Sequence, residues 1–308
     1  MSRPPAPPRP SGSPLRAAGR PPVRYPAAGP LLGVGRSLLA LAQLLTLLFT
    51  SDAELFPGGP RCGGGRLLTL WCLGPPGGAP GARRVLAVLG LLLVISGWLP
   101  RWTAVLHWYL TFGLTGTMAV ADAGDMAARI GTLLLLPLLL GDPRRWIWTG
   151  RLRPPVPAWR GAGRAALLLL RVQVLIVYAQ AAGSKLLDPL WRDGTALYYW
   201  LHSHYWGLAP ALRPLLDPVL ANGWSVRALT WTVIVLELGI AGCMLAPGRP
   251  RRAAVPAAVL LHGGIALCMG LPGFALTMVG LVLLACADIG PLGPRWRPMH
   301  IRCNRAAD

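Results

Sequence analysis

Residues 165–187 read AALLLLRVQVLIVYAQAAGSKLL, and this stretch contains Lys185, the single lysine among 30 basic residues. Its apolar part, 165–182, approaches the roughly 20 residues with which an α-helix spans a bilayer. Hydrophobic residues make up 54% of the chain and charged residues 13%, so we predict an all-α, polytopic integral membrane protein. The predicted spans are residues 31–49, 85–98, 102–120, 126–140, 165–182, 226–245, 253–269 and 274–287.

These spans predict one transmembrane domain, residues 31–290, between two tails. Residues 1–30 are rich in Pro, Ala and Arg and contain no acidic residue, which predicts a disordered tail. Because this long non-apolar segment precedes the first span, we interpret that span as a retained helix and not as a signal peptide. Residues 291–308 are predicted to form a basic cytoplasmic tail.

The net charge of +19 could suit nucleic acid, but the positions of the arginines favour a membrane and exclude nucleic acid as a partner. Arginines concentrate in residues 1–30, 141–164, 246–252 and 288–308. With eight spans these segments share one side, which the positive-inside rule makes cytoplasmic. We therefore predict a plasma-membrane protein with both termini inside. The long first outer loop does not follow this rule, because it contains Arg61, Arg66, Arg83 and Arg84.

In this topology the first outer loop also contains Cys62 and Cys72. The outer compartment permits a disulfide between them, but the sequence leaves open whether it forms. No pair of the six cysteines has CxxC spacing, so the sequence indicates neither a zinc site nor a dithiol redox centre.

Lys185 is the first candidate for chemistry, and it would lie at the outer end of the fifth span. Arg171, Tyr178 and Lys185 are spaced by seven, so they share one helix face. The small residues 181–184 would let another helix approach and bury the lysine. A lysine in a dry pocket can lose its proton and act as a base, which an arginine cannot do. The alternative is a lysine that snorkels to the headgroups.

Other ionisable residues lie within or beside the predicted spans. Glu237 and His262 are near the middle of their spans, where such residues mark a function or a buried pair. Asp122 and Asp125 precede the fourth span, where a carboxylate caps a helix and opposes its dipole. Arg36, near the start of the first span, is predicted to snorkel to the interface.

The segment VYAQAAGSKLLDPLWRDGTALYYWL (177–201) resembles the core motif of the HTTM family, the membrane domain related to vitamin K-dependent gamma-carboxylase. Three further features are similar to the family in the expected order: ADAGDMAARI (121–130), the spans with Glu237 and His262, and FALTMVGLVLLACADI (274–289). The resemblance covers roughly residues 31–290.

The resemblance implies that Lys185 is the base that deprotonates a reduced quinone of the vitamin K or menaquinol type. O2 and CO2 would be co-substrates if carboxylation is retained, and no metal is implied. His262 resembles a catalytic, site-supporting histidine, and Tyr178, Trp191, Glu237 and Asp125 would bind the cofactor. The chain departs from the carboxylase in having Lys185-Leu186 where the carboxylase has two lysines. Residues 121–130 contain no counterpart of a carboxylase histidine beside the fourth helix, and no segment of the sequence resembles the large luminal domain of the carboxylase.

The expected function is therefore an enzyme that acts at the outer face on a quinol or another lipid-soluble substrate, with Lys185 as general base. The alternative is a non-enzymatic membrane factor for maturation or export of a secreted peptide. A transporter that uses Glu237 and His262 as a proton relay is a weaker third hypothesis, because the chain has no evident internal repeat. Expected partners are membrane lipid and a secreted peptide or protein substrate.

Overall fold

The structure, a computed structural model, describes residues 28–73, 80–149 and 157–287. Within these ranges the chain is helical and has no β-strand, as predicted. The predicted tails lie almost entirely outside the described residues. Eight long helices dominate: α1 Ala28–Phe49, α2 Pro80–Ser96, α3 Pro100–Thr117, α4 Ala123–Leu139, α5 Pro157–Leu187, α6 Gly223–Leu245, α7 Ala254–Met269 and α8 Pro272–Ala285.

Each of these helices overlaps one predicted span, but their lengths differ. Among the described residues, four segments are long and apolar enough to cross a membrane, which makes the chain a membrane protein by length and composition: Leu31–Phe49, Gly161–Leu187, Gly223–Leu245 and Pro250–Met269. Pro272–Ala285 is a shorter apolar helix. The helix that carries Lys185 is 31 residues long. It is longer than the predicted span 165–182, because it includes residues on both sides of the apolar run.

The ends of the helices follow from local chemistry. Asp122 and Asn222 cap α4 and α6 by accepting hydrogen bonds from backbone N–H groups of the first turn. Pro100 and Pro272 open α3 and α8 at the first helical position, where the missing N–H costs nothing. Gly270 ends α7 with φ of 67°, a left-handed conformation that glycine adopts freely.

The eight helices form a closed circuit in which each packs against its neighbours in sequence and α8 returns to α1. Helix α8 also packs against α4 and α5, and most of its residues are buried. It is therefore the centre of the bundle. Contact between α1 and α8 is close, because a Cβ on Gly280 would lie 2.9 Å from the Gly35 carbonyl oxygen. Small residues permit such contacts between membrane helices.

Large apolar side chains cover the outer surface of the bundle. Such a surface is unusual in a soluble monomer and suits contact with lipid chains. Examples are Leu86, Leu89, Leu168, Ile176, Val235 and Leu260.

The loop between α1 and α2 is held by a disulfide between Cys62 and Cys72, which the sequence alone leaves open. Arg84 pairs with Asp52 and donates to the carbonyls of Leu47 and Thr50 at the end of α1. A cation here stabilises the helix C-terminus. At least one of the arginines that oppose the positive-inside rule therefore has a structural role.

The prediction that Arg36 snorkels to the interface is wrong. Its side chain is 1% exposed, and its Nη2 donates to Thr103 Oγ1 at 2.8 Å. The sequence places Arg36 near a helix end, but in the fold its side chain is buried and reaches Thr103 on α3. A sequence pattern shows how far a residue lies from the end of its helix, but not which other helices surround that residue.

Candidate functional site

The candidate site is built around a contact between α5 and α6. Lys185 Nζ lies 2.7 Å from Glu237 Oε1. The Lys185 side chain is 20% exposed and that of Glu237 9%, so both groups are largely removed from solvent. The distance suits an ion pair and equally a hydrogen bond between a neutral amine and a carboxylic acid, because one proton lies between the two atoms in either case.

The segment after α5 folds back and places an aromatic ring beside Lys185. Asp188 accepts a hydrogen bond from the Leu190 N–H at 2.8 Å and starts the short helix Pro189–Arg192. This turn buries Trp191, whose ring centroid lies 5.1 Å from Lys185 Nζ. An indole face at this distance stabilises a cation. The ring also covers one side of the amine.

Small residues do permit a close approach here, but only at part of the predicted run 181–184. Ala182 is fully buried against Trp191, Ala196 and Ile234. A Cβ added to Gly183 would meet nothing within 4 Å, because Gly183 lies off the buried face. Only part of the small-residue run is therefore an interface.

A second polar pair lies between α5 and α7. Tyr178 Oη and His262 Nε2 are 2.7 Å apart, and both residues are buried. The ring of Phe274 lies 5.3 Å from the imidazole ring of His262. Tyr178 precedes Lys185 by two helical turns, about 10 Å along the axis. Both side chains point from α5 into the bundle, and they share one face of α5, as their spacing predicts.

The two pairs form one polar unit, because Tyr178 and Lys185 lie two turns apart on one face of α5. Each pair also carries a polar atom without a hydrogen-bond partner among the described residues: Glu237 Oε2 and His262 Nδ1. Buried polar atoms in proteins are normally satisfied. These two atoms are thus available to a bound polar group.

Asp125 lies apart from this unit. Its carboxylate accepts a hydrogen bond from the Asp122 N–H at 3.1 Å, while Asp122 caps the Asp125 N–H at 2.7 Å. This reciprocal arrangement is a capping box, which accounts for both carboxylates structurally. The link to the site is indirect, because Gly124 packs on Phe274 and Phe274 packs on His262.

Sequence reasoning missed a further polar cluster near the other end of the bundle. His107 is buried one turn along α3 from Thr103, the residue that accepts a hydrogen bond from the buried Arg36. Both retain nitrogen atoms without partners among the described residues. The four-residue spacing of Thr103 and His107 on α3 was the available signal, since it puts both on one face.

The chemistry available at the site is proton exchange. An amine, a carboxyl, an imidazole and a phenol are held together with little solvent, and all four can donate or accept a proton. Among the described residues, no group of three or more His, Cys, Asp or Glu side chains could hold a metal ion.

Comparison with known proteins finds relatives of similar length. No protein-family model and no solved structure matches the chain. The uncharacterized protein YitO of Bacillus subtilis (strain 168) is 32% identical over 268 residues, which are 83% of this chain and 85% of YitO. The sporulation-delaying protein SdpB of the same organism is 30% identical over 254 residues, 81% of this chain and 78% of SdpB. Neither name refers to the HTTM family, so that resemblance stays a prediction.

Proposed function

The chain belongs to the family of YitO and the sporulation-delaying protein SdpB, and from this premise we propose that it is a multi-pass membrane enzyme. In this proposal the Lys185–Glu237 pair removes a proton from a hydroxyl group of a quinol or another lipid-soluble substrate. The 2.7 Å contact of the two side chains inside the bundle is the observation that carries the proposal.

The proposal includes eight spans in the plasma membrane, with both termini in the cytoplasm. Two observations support this orientation. The arginine-rich segments of the sequence share one side, which the positive-inside rule assigns to the cytoplasm. The Cys62–Cys72 disulfide lies on the opposite side, and disulfides persist in oxidising compartments. Lys185 then lies in the outer leaflet, where a substrate can enter from the bilayer.

The proton transfer uses the pair as a unit. Glu237 Oε1 takes a proton from Lys185 Nζ along their hydrogen bond and leaves a neutral amine. Low solvation favours this neutral form, because isolated charges are costly to bury. Lys185 Nζ then takes the proton of the substrate hydroxyl, and the ammonium offsets the negative charge that remains on the substrate oxygen. His262 and Tyr178 orient the substrate through the free Nδ1.

The residues present fit a reduced quinone of the vitamin K or menaquinol type. The unsatisfied Glu237 Oε2 and His262 Nδ1 can bond its hydroxyl groups, and Trp191 and Phe274 offer rings beside its aromatic body. When bound, such a quinone supplies an acidic hydroxyl group and electrons for reaction with O2. Carboxylation would further require CO2 and a secreted peptide or protein with glutamate residues.

The second candidate is a non-enzymatic membrane factor for maturation or export of a secreted peptide. The same contact favours it, because a pair such as Lys185–Glu237 can also serve only to fix α5 against α6. Here the pair would hold the bundle in shape, and any cation that keeps the ion pair would suffice.

Substitution of Lys185 by arginine distinguishes the two candidates. Arginine keeps the positive charge and can pair with Glu237, but it does not release its proton. The enzyme hypothesis predicts that the Lys185→Arg protein accumulates normally in the membrane and fails to complement a deletion strain. A variant that complements fully at wild-type levels would favour the structural factor. Arg192→Lys, next to Trp191 but outside the pair, is the matched control and should complement.

A further inference from the structure

The first outer loop lines a cavity that is separate from the proposed proton-transfer site. A cavity of about 340 Å³ lies between this loop and the adjacent ends of α3 and α4. Arg61, Arg66 and Arg129 line it, together with Met118 and Met126, and no acidic residue does. We propose that this arginine cavity binds the phosphate of an anionic lipid headgroup.

Separate contacts position the three arginines, through the backbone for Arg61 and through the side chain for Arg66 and Arg129. The backbone N–H of Arg61 donates to the Thr117 carbonyl at 2.9 Å, and the neighbouring Cys62 is fixed by its disulfide. Arg66 Nη1 donates to the Gly116 carbonyl at 3.1 Å. Arg129 Cζ lies 4.4 Å from the centroid of the Phe112 ring. These contacts arrange the cavity before any ligand arrives, which reduces the entropy lost on binding.

The positive charge of the cavity is not neutralised within the described part of the chain. Arg84 pairs with Asp52 and Arg144 with Asp142, but none of the three cavity arginines forms a salt bridge there. Three like charges around one space repel each other, and an anion between them removes that repulsion. Guanidinium groups match phosphate oxygens in geometry and charge.

The surroundings favour a lipid phosphate over a soluble anion or an acidic peptide. Leu67 and Leu68, which follow Arg66, are 56% and 74% exposed. Val120, between two residues that line the cavity, is 85% exposed. Arginines beside exposed apolar side chains are typical of the membrane interface, where the charged groups meet headgroups and the apolar groups meet acyl chains.

The site accounts for two of the arginines that oppose the positive-inside rule, Arg61 and Arg66. Their charge is retained because it binds lipid at the outer surface. Only the choice of leaflet depends on the proposed topology. The lipid preference itself does not depend on topology or on the Lys185 chemistry.

The experiment measures which lipids the full-length protein retains. The protein is placed in nanodiscs of equal parts phosphatidylcholine and phosphatidylglycerol, released into mild detergent, and the bound lipids are counted by native mass spectrometry. Wild-type protein should retain phosphatidylglycerol in preference to phosphatidylcholine. The triple variant Arg61→Gln/Arg66→Gln/Arg129→Gln should lose the preference. The matched triple variant Arg192→Gln/Arg213→Gln/Arg227→Gln, whose positions lie between the end of α5 and the first turns of α6, should keep it.

Two further arms test the source of the phosphate and the folding of the variant. Inorganic phosphate and a Glu-rich peptide should not displace the retained lipid, and displacement by either would overturn the assignment to a lipid. If the triple variant does not fold, the single variant Arg129→Gln, which leaves the loop intact, takes its place. This single variant should weaken the preference for phosphatidylglycerol. Equal lipid retention by wild type, the single variant and a folded cavity triple would also refute the site.

Discussion

Lys185 Nζ and Glu237 Oε1 lie 2.7 Å apart although 52 positions separate the residues in the chain. The pair joins the C-terminal end of α5 to the middle of α6, with Trp191 over the amine. A buried pair of this kind is weak support for stability alone, because desolvation offsets the attraction of the charges. The pair therefore supports the proposed role of the amine in proton transfer rather than a role in stability alone.

We predict that removal of one member of the pair destabilises the protein more than removal of both. Lys185→Met or Glu237→Leu alone leaves an unpaired buried group, and each should lower the free energy of unfolding by about 3 kcal/mol. The double variant should recover most of this stability, because apolar residues of similar size replace both groups. Denaturation in detergent measures all three variants.

The double variant also separates stability from function. If the pair performs proton transfer, the recovered double variant should still fail to complement a deletion strain. A double variant that is both stable and fully functional would show that the protein does not need the pair.

A second prediction concerns the contact of α5 with α6. Ala182→Leu should destabilise the bundle by about 1–3 kcal/mol, because the added side chain overpacks a fully buried position beside Trp191. Gly183→Leu should be tolerated, because open space surrounds that position. Thermal unfolding of the two purified variants makes the comparison. Similar losses in both variants would contradict the observed rotation of α5.

The two neighbouring positions show where sequence reasoning succeeded and where it failed. Hydrophobic runs predicted all eight long helices, because each run reflects burial or lipid contact along a single helix. Heptad spacing predicted that Tyr178 and Lys185 share one face of α5. The pairing partners could not be predicted, because they depend on how separate helices rotate and pack.

The same limit explains the other discrepancies. Ala182 and Gly183 are both small, and only the rotation of α5 decides which one is buried. Arg36 is near a helix end in sequence, but α3 covers it in the fold. Asp125 was grouped with the cofactor-binding residues, whereas its described contacts are those of a capping box. The chemistry of each side chain was visible in the sequence, and its neighbours were not.

A third prediction tests the orientation in the membrane. Tyr205 is 85% exposed and lies between α5 and α6, in a segment that the proposed topology places outside the cell. Tyr205→Cys should therefore react with an impermeant maleimide in intact cells. Cys303 should react only after the membrane is permeabilised. Cys62 and Cys72 should stay blocked until a reductant is added, because they form a disulfide. Labelling of Cys303 but not of Tyr205→Cys in intact cells would reverse the proposed topology.

The most direct test of the central claim is the protonation state of Lys185 itself. Because the chain has one lysine, lysine labelled with ¹⁵N at Nζ gives a single side-chain nitrogen signal in NMR spectra of the protein in nanodiscs. The account predicts an amine signal in the resting protein and an ammonium signal after a long-chain hydroquinone is added. The dimethyl ether of that hydroquinone, which has no hydroxyl proton, should leave the signal unchanged. An ammonium signal in the resting protein that is the same with either compound would contradict the role of Lys185 as a base.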